Sequence, residues 1–491
     1  MRAKGKFRVI MAAAVVMGAM LIVGIGYGAE VDLRTPDTWS QHVTPGGFTD
    51  MAKGLKLGGD GVMNIGLTSR YRLKTNDYAN DQDFYQYLRA NLEGVKLGSG
   101  TLYGNIFVRA AGDLDGRDNA QWGNTSYYVH NDILDAETKQ KDKAPRLYQG
   151  NLTLDQVIPL TRLTAGRLYA SHVNTYQLDG GDVSIGNDKV KIYAFGGAPV
   201  SYFYKWDNDY VYGGGLEATI VNGTKISAEF TRLDVEGLND NLFNLKLDQD
   251  LVKGMHFTGL YTGLNSKGAF EGVLAYRLEN TKTFVKVKYK GLFDEMGSDN
   301  SYVVNPITVS LLPYGKYNSY GLEVGQGIGS NVMVGVGVEK KDASGTPNYD
   351  NRDYVRYYGN LDLIGVPSKD TYISLTAEKW TVDQTADVAA VGFGVPSVGK
   401  DDKLQIGGRV NQKITKGVDA WLGTSYNKYK YDELTNSREE NVRAYYIGGQ
   451  WVPNKTISLL MDLNAESSDM FNADKDLKQN YTLQAWLNII F

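Results

Sequence analysis

Residues 481–491, YTLQAWLNIIF, set the strongest limit on what this chain can fold into. Tyr481, Leu483, Ala485, Leu487, Ile489 and Phe491 fall on one face at period two, while Thr482, Gln484 and Asn488 fall on the other. Such a strand needs an apolar medium on one side and water on the other, which a buried parallel sheet does not provide. The alternation recurs along the chain. Ile457, Leu459, Met461, Leu463 and Ala465 oppose Ser458, Asp462, Asn464 and Glu466, and Met63, Ile65, Leu67, Tyr71 and Leu73 oppose Asn64, Thr68, Arg70 and Arg72. Burying either face in a dry core would strand charges or expose an apolar stripe. A transmembrane antiparallel up-and-down β-barrel, with lipid outside and water inside, satisfies both. The spacing predicts this all-β fold over residues 60–491, with 22 strands, or 20 if 176–196 is one inward-folded loop instead of two strands.

Arg2, Lys4, Lys6 and Arg8 precede an apolar run and then small residues through Ala29, so residues 1–29 read as a secretory signal peptide. Residues 30–59, with Pro36, Trp39 and Pro45, show no alternation and are expected to form an N-terminal periplasmic or lumenal segment. Beyond Ala29 no apolar run reaches the roughly 18 residues of a membrane-spanning helix, which argues against a helical membrane protein. The absence of cysteine excludes disulfides, thiolate metal sites and covalent haem attachment, and no cofactor is expected. A net charge of -4 gives no support for nucleic-acid binding.

The connectors between strands carry orientation. Reading backward, 467–479 is long, 452–455 short, 430–440 long, 414–416 short, 381–402 long and 365–369 short. Barrels of this kind have short periplasmic turns and long extracellular loops, which places the N-terminus and the short turns in the periplasm.

The polar strand faces then supply candidate lumen residues: Arg70, Arg89, Arg109, Arg277, Lys286, Lys288, Lys290, Glu323, Arg356, Glu378, Arg409 and Arg443. A barrel this wide cannot be filled by side chains alone. The Lys286, Lys288 and Lys290 row either guides anions along the path or is neutralised by carboxylates on neighbouring strands. Asp113, Asp115 and Asp118 offer calcium-type oxygens but lack the twelve-residue loop and its terminal glutamate, so a solvated loop is expected there. The four histidines have no His-x-x-x-His or His-Glu-x-x-His spacing, and no Gly-x-Ser-x-Gly occurs, so no catalytic site is expected.

The signal peptide, the uniform alternating strands, the short hairpins and Phe491 together resemble a Gram-negative outer-membrane porin over essentially the whole mature chain. The resemblance implies residence in the outer membrane among lipid and lipopolysaccharide, and passage of small hydrophilic solutes, anionic ones included. It also implies that the barrel assembly machinery recognises Tyr481, Leu487, Ile489 and Phe491. Gly166-Arg167 and Leu178-Asp179-Gly180 resemble the alginate-export type of large monomeric porin. Two other functional classes fit a wide barrel with long loops: a scaffold sheathing a periplasmic or surface protein, such as an electron-transfer cytochrome, and a surface receptor or adhesin.

Overall fold

Alternating sequence becomes a continuous antiparallel ladder. The computed structural model describes residues 55–57, 61–75, 80–114, 145–200, 209–221, 223–235, 238–294, 316–344, 353–383, 398–433, 437–468 and 480–491. Its strands are β1 (Leu55–Leu57), β2 (Gly61–Thr75), β3 (Asn80–Leu97), β4 (Gly100–Asp113), β5 (Arg146–Asp155), β6 (Thr161–Ser171), β7 (Thr175–Gly186) and β8 (Val190–Pro199). There follow β9 (Tyr210–Val221), β10 (Thr224–Val235), β11 (Leu238–Val252), β12 (Met255–Leu264), β13 (Lys267–Leu278), β14 (Thr283–Leu292), β15 (Lys316–Ile328) and β16 (Val332–Ser344). The last are β17 (Asp353–Ile364), β18 (Thr371–Asp383), β19 (Val398–Thr415), β20 (Val418–Glu433), β21 (Ser437–Asn454), β22 (Ile457–Ser468) and β23 (Asn480–Ile490).

From β2 onward each strand pairs with the next, and β23 pairs with β2 from Gly66↔Ile490 to Thr75↔Tyr481, closing a barrel of 22 strands. Closure removes the sheet edges that an open sheet must protect. At the seam Phe491 N donates to Ile65 O at 2.8 Å and Ile65 N to Phe491 O at 3.4 Å. Below that point β1 pairs with Gly61, Val62 and Met63, so the start of β2 is covered as well. Residues 55–57 of the expected N-terminal segment thus belong to the sheet, whereas residues 1–54, which include the expected signal peptide, lie outside the described residues.

Both strands in doubt, β7 and β8, are laddered on each side, which settles the count against 20. Along the wall one face exposes large apolar side chains, among them Leu216, Ile192, Phe230, Leu322, Tyr357, Leu375, Leu422, Tyr445 and Ile447. Contiguous apolar exposure on this scale suits a hydrocarbon solvent and not water. The opposite face carries arginine, carboxylate, amide and tyrosine side chains and lines the interior.

Several strands outrun the alternation that announces them. The pattern at 403–413, 417–429 and 441–451 becomes β19, β20 and β21, which continue through Asp401, Asp402, Lys430, Glu439 and Glu440. Where a strand rises past the apolar band, both faces meet water and the period-two signal fades while the backbone ladder continues.

Candidate functional site

Twenty-two strands spaced about 4.8 Å apart and tilted about 40° enclose a barrel about 44 Å across, so what stands inside decides how wide the lumen is. One hairpin does stand inside. β6 and β7 pair as far as Ser171↔Thr175, but β5 holds β6 only up to Arg167, and β8 holds β7 only up to Leu178. The hairpin end, residues 168–177, leaves the ladder beyond these points, with Gln177 O still accepting from Val200 N at 3.1 Å. In the ladder Asp182 faces Thr164, and a straight hairpin would carry His172 about 27 Å beyond that point. Instead His172 Nε2 lies 2.7 Å from Asp182 Oδ2, so the hairpin folds back across the inner face of the wall.

Glycine makes the bend possible. Gly166 has φ 120°, and a Cβ at Gly180 would sit 2.0 Å from Gly196 O, closer than any side chain tolerates. Gly180→Val is therefore expected to destabilise the barrel by at least about 2 kcal/mol. The check is the unfolding midpoint in urea. Across the bend Arg167 grips Asp179 with two hydrogen bonds, Nε to Oδ1 at 2.7 Å and Nη2 to Oδ2 at 2.5 Å, and donates Nη1 to Leu147 O at 2.7 Å. Gln177 Nε2 donates to Tyr148 O at 2.6 Å. The residues that resemble the alginate-export pattern thus form the hinge of this hairpin, Gly166 opposite Gly180 and Arg167 opposite Asp179.

The folded-back hairpin lays Leu168, Ala170, Tyr176 and Leu178 against Tyr193 and Phe195, all buried. The His172 ring stacks on Tyr193 with centroids 3.6 Å apart, and Tyr176 stacks on Phe195 at 5.0 Å. The inward apolar row continues around the wall through Val211, Leu233, Leu242, Leu264, Leu292 and Tyr317.

On β2 to β5 the interior wall interleaves arginines with rings. Arg70 Cζ lies 5.3 Å from the Tyr85 ring and 5.4 Å from the Trp486 ring, and its Nη2 donates to Gln484 Oε1 at 2.5 Å. Arg89 lies over Phe107 at 5.1 Å, and Arg109 sits between Tyr85 at 5.7 Å and Tyr148 at 5.8 Å. Arg146 covers Tyr148 at 5.1 Å, and Tyr85, Tyr87, Phe107 and Tyr148 stack successively. Stacking against rings holds the guanidinium groups in place on this wall. Arg72 is bound to Asp83, which also accepts from Tyr85 OH at 2.9 Å.

Around β13 to β20 the charges alternate instead. Lys288 Nζ lies 3.9 Å from Glu323 and Lys290 Nζ 3.9 Å from Glu271, while Lys286 is directly opposite Glu323 in the ladder. Carboxylates therefore flank the lysine row. Arg356 bonds Glu378 at 2.6 Å and approaches Glu339 at 3.8 Å, and it lies over Tyr358 at 4.6 Å and Trp380 at 5.0 Å. Arg409 lies over Trp421 at 5.0 Å, whose Nε1 donates to Asp462 at 3.3 Å.

Arg443 departs from expectation. It shares its face of β21 with Tyr445 and Ile447, the apolar outer face, and stacks over Tyr426 at 6.0 Å. The sequence around it, Asn441 to Tyr446, mixes polar and aromatic residues on both faces, which hides the phase. Arg443→Ala is expected to leave the reversal potential in a KCl gradient as it is, whereas Arg70→Ala is expected to shift it; recordings of the two variants compare them. Arg277 points inward at the end of β13 nearest the 279–282 turn, exposed and apart from both walls. Asp115, Asp118 and the Asp113 side chain lie outside the described residues. On the terminal strand Tyr481, Leu487 and Ile489 face outward, opposite Thr75, Ser69 and Leu67, and Phe491 is exposed at the rim.

Sequence reasoning missed the aromatic half of the site. Trp380, Trp421 and Trp486 point inward among polar neighbours, where apolar character argues for lipid. Their recurring position beside an arginine is the signal that could have placed them.

These features define a large closed antiparallel β-barrel of porin-like build, apolar outside and charged within. No family model matches the chain, and no curated protein matches it. Solved structures similar in fold include Acinetobacter baumannii OccAB3, at 10% identity and TM-score 0.44, covering 88% of this chain and 100% of that one. A BenF-like porin from Pseudomonas fluorescens Pf-5 is similar at 9% identity and TM-score 0.45, covering 88% of this chain and 98% of the other. Pseudomonas aeruginosa OprD is similar at 11% identity and TM-score 0.42, covering 90% and 98%.

Proposed function

We propose that this chain is an outer-membrane channel for passive diffusion of small hydrophilic solutes, with a preference for those carrying a carboxylate or another acid group. The observation that carries this reading is the arginine and aromatic wall of β2 to β5, narrowed by the hairpin at 168–177. Among the described side chains, Arg70, Arg72, Lys74, Arg89, Arg109 and Arg146 outnumber the carboxylates Asp83, Glu93 and Asp155 on the inward faces of the same strands. Charge lining a path selects among solutes without bond making. The lysine row of β14 contributes less, because Glu271 and Glu323 flank it.

In this reading short turns and the N-terminus face the periplasm, lipid and lipopolysaccharide surround the barrel, and Tyr481, Leu487, Ile489 and Phe491 serve as the signal to the barrel assembly machinery. An acidic polysaccharide as substrate is not carried forward, since the residues that suggested it hold one another at the hinge. A hairpin standing in the lumen also counts against a sheath for a threaded protein, and the adhesin reading draws on loops outside the described residues. The test is swelling of proteoliposomes in isotonic solutes. Small monocarboxylates are expected to enter several-fold faster than neutral sugars of equal size, and equal rates would remove the anion preference.

A further inference from the structure

We infer that Glu229 is the latch that holds the inward hairpin in place, and so fixes how far the lumen is narrowed. Its importance for permeation rests on the channel reading above; its role in placing the hairpin does not.

Glu229 projects inward from β10 and is 1% exposed. Its carboxylate accepts four hydrogen bonds. Oε2 takes Val173 N and Tyr193 OH, each at 3.1 Å, and Oε1 takes Asn174 Nδ2 at 3.2 Å and Tyr176 OH at 3.0 Å. Three of these donors, Val173, Asn174 and Tyr176, belong to the hairpin tip. A buried carboxylate is tolerable only when its lone pairs are occupied, and hydrogen bonds to an ionised acceptor are about twice as strong as neutral ones. The hairpin therefore supplies the donors that make burial of Glu229 possible, and Glu229 supplies the acceptor for Val173 N–H. Tyr176 OH is shared with Thr231 Oγ1 at 2.9 Å, which ties the tip to a second residue of the same strand.

The remaining charges around the tip are already engaged. Glu217 on β9 is held by Lys191 at 2.9 Å and Lys225 at 2.5 Å, and Asp182 on β7 by His172. Ring stacking and the apolar contacts of Leu168 and Tyr176 give the hairpin a favourable surface to lie on, but such contacts permit sliding. The three directed bonds from the tip to Glu229 select one position. Freedom to move elsewhere comes from the glycine hinge and from the early ends of the β5 and β8 ladders.

The experiment is Glu229→Ala in the full chain, folded into bilayers and checked for the folded band by unheated gel mobility. Hydrogen exchange at the Val173 amide is expected to accelerate at least about tenfold. Single-channel recordings are expected to show larger, noisier openings and entry of bulkier solutes, with a reversal potential of unchanged sign and smaller magnitude, because the arginine wall is intact but the lumen around it is wider. General loss of structure would instead accelerate exchange around the whole barrel. If Glu229→Ala does not fold, Asn174→Ala with Tyr176→Phe removes two of the tip's donors and leaves the carboxylate; a smaller acceleration, about threefold, is expected. Unchanged exchange at Val173 in a folded variant overturns the latch. Faster exchange in a protein whose wild type does not conduct upholds the latch and removes the channel.

Discussion

Reversing two charges on the β2 to β5 wall, Arg70→Glu with Arg89→Glu, is expected to turn an anion-preferring pore into a cation-preferring one, read as a change of sign in the reversal potential across a KCl gradient. The pair removes two positive charges and adds two negative ones where guanidinium groups are stacked on Tyr85, Trp486 and Phe107. Fixed charges act over a Debye length of about 8 to 10 Å in physiological salt, so in a bare barrel of this width they would influence only solutes near the wall. The folded-back hairpin restricts the free width and brings more of the passing solution within that reach. The opposite side of the lumen cannot restore the preference, because Lys288 and Lys290 lie beside Glu323 and Glu271. Gradients of KCl at low salt will enlarge the effect and at high salt reduce it. An unchanged sign would mean that selectivity is set elsewhere in the pore.

The second large effect concerns the outer surface. Leu375 lies on the outer face of β18, 45% exposed, between Ile373 and Ala377 in the middle of that strand's apolar run. Leu375→Arg is expected to destabilise the barrel by about 2 to 4 kcal/mol, the cost of a basic side chain at the bilayer midplane. Thr376→Arg, one residue along and facing the lumen, is expected to stay within about 0.5 kcal/mol, as substitutions in water usually do. Urea unfolding in liposomes measures both. The contrast between adjacent positions is the point, since a one-residue phase error would exchange the two results.

The closed wall was legible in the sequence because lipid and water impose opposite chemistry on successive residues. β22 and β23 carry that contrast without interruption, and hence their phase could be read directly. Arg443 shows where the method fails: near the aromatic rim both faces accept polar groups, and the neighbouring Tyr445 and Tyr446 point to opposite sides. The charged upper parts of β19 to β21 were missed for the related reason that water surrounds them. The candidate site was legible only in part. Arg70, Arg89, Arg109, Arg356 and Arg409 follow from the strand phase, as does Glu229 as a polar inward residue. Their grouping does not, because stacking of Arg109 between Tyr85 and Tyr148 depends on the register of three strands. The inward hairpin was harder still. Gly166 and Gly180 mark the bend, but the contact of His172 with Asp182, only ten residues away in the same hairpin, is invisible to period-two reading.

The most direct test of the central claim is conductance of the purified wild-type protein in a planar bilayer, with the reversal potential recorded in a KCl gradient. Steady openings with a reversal potential of anionic sign are predicted. A correctly folded barrel that passes no current, or passes cations in preference, would contradict the account of the arginine wall as the selective surface of an open channel.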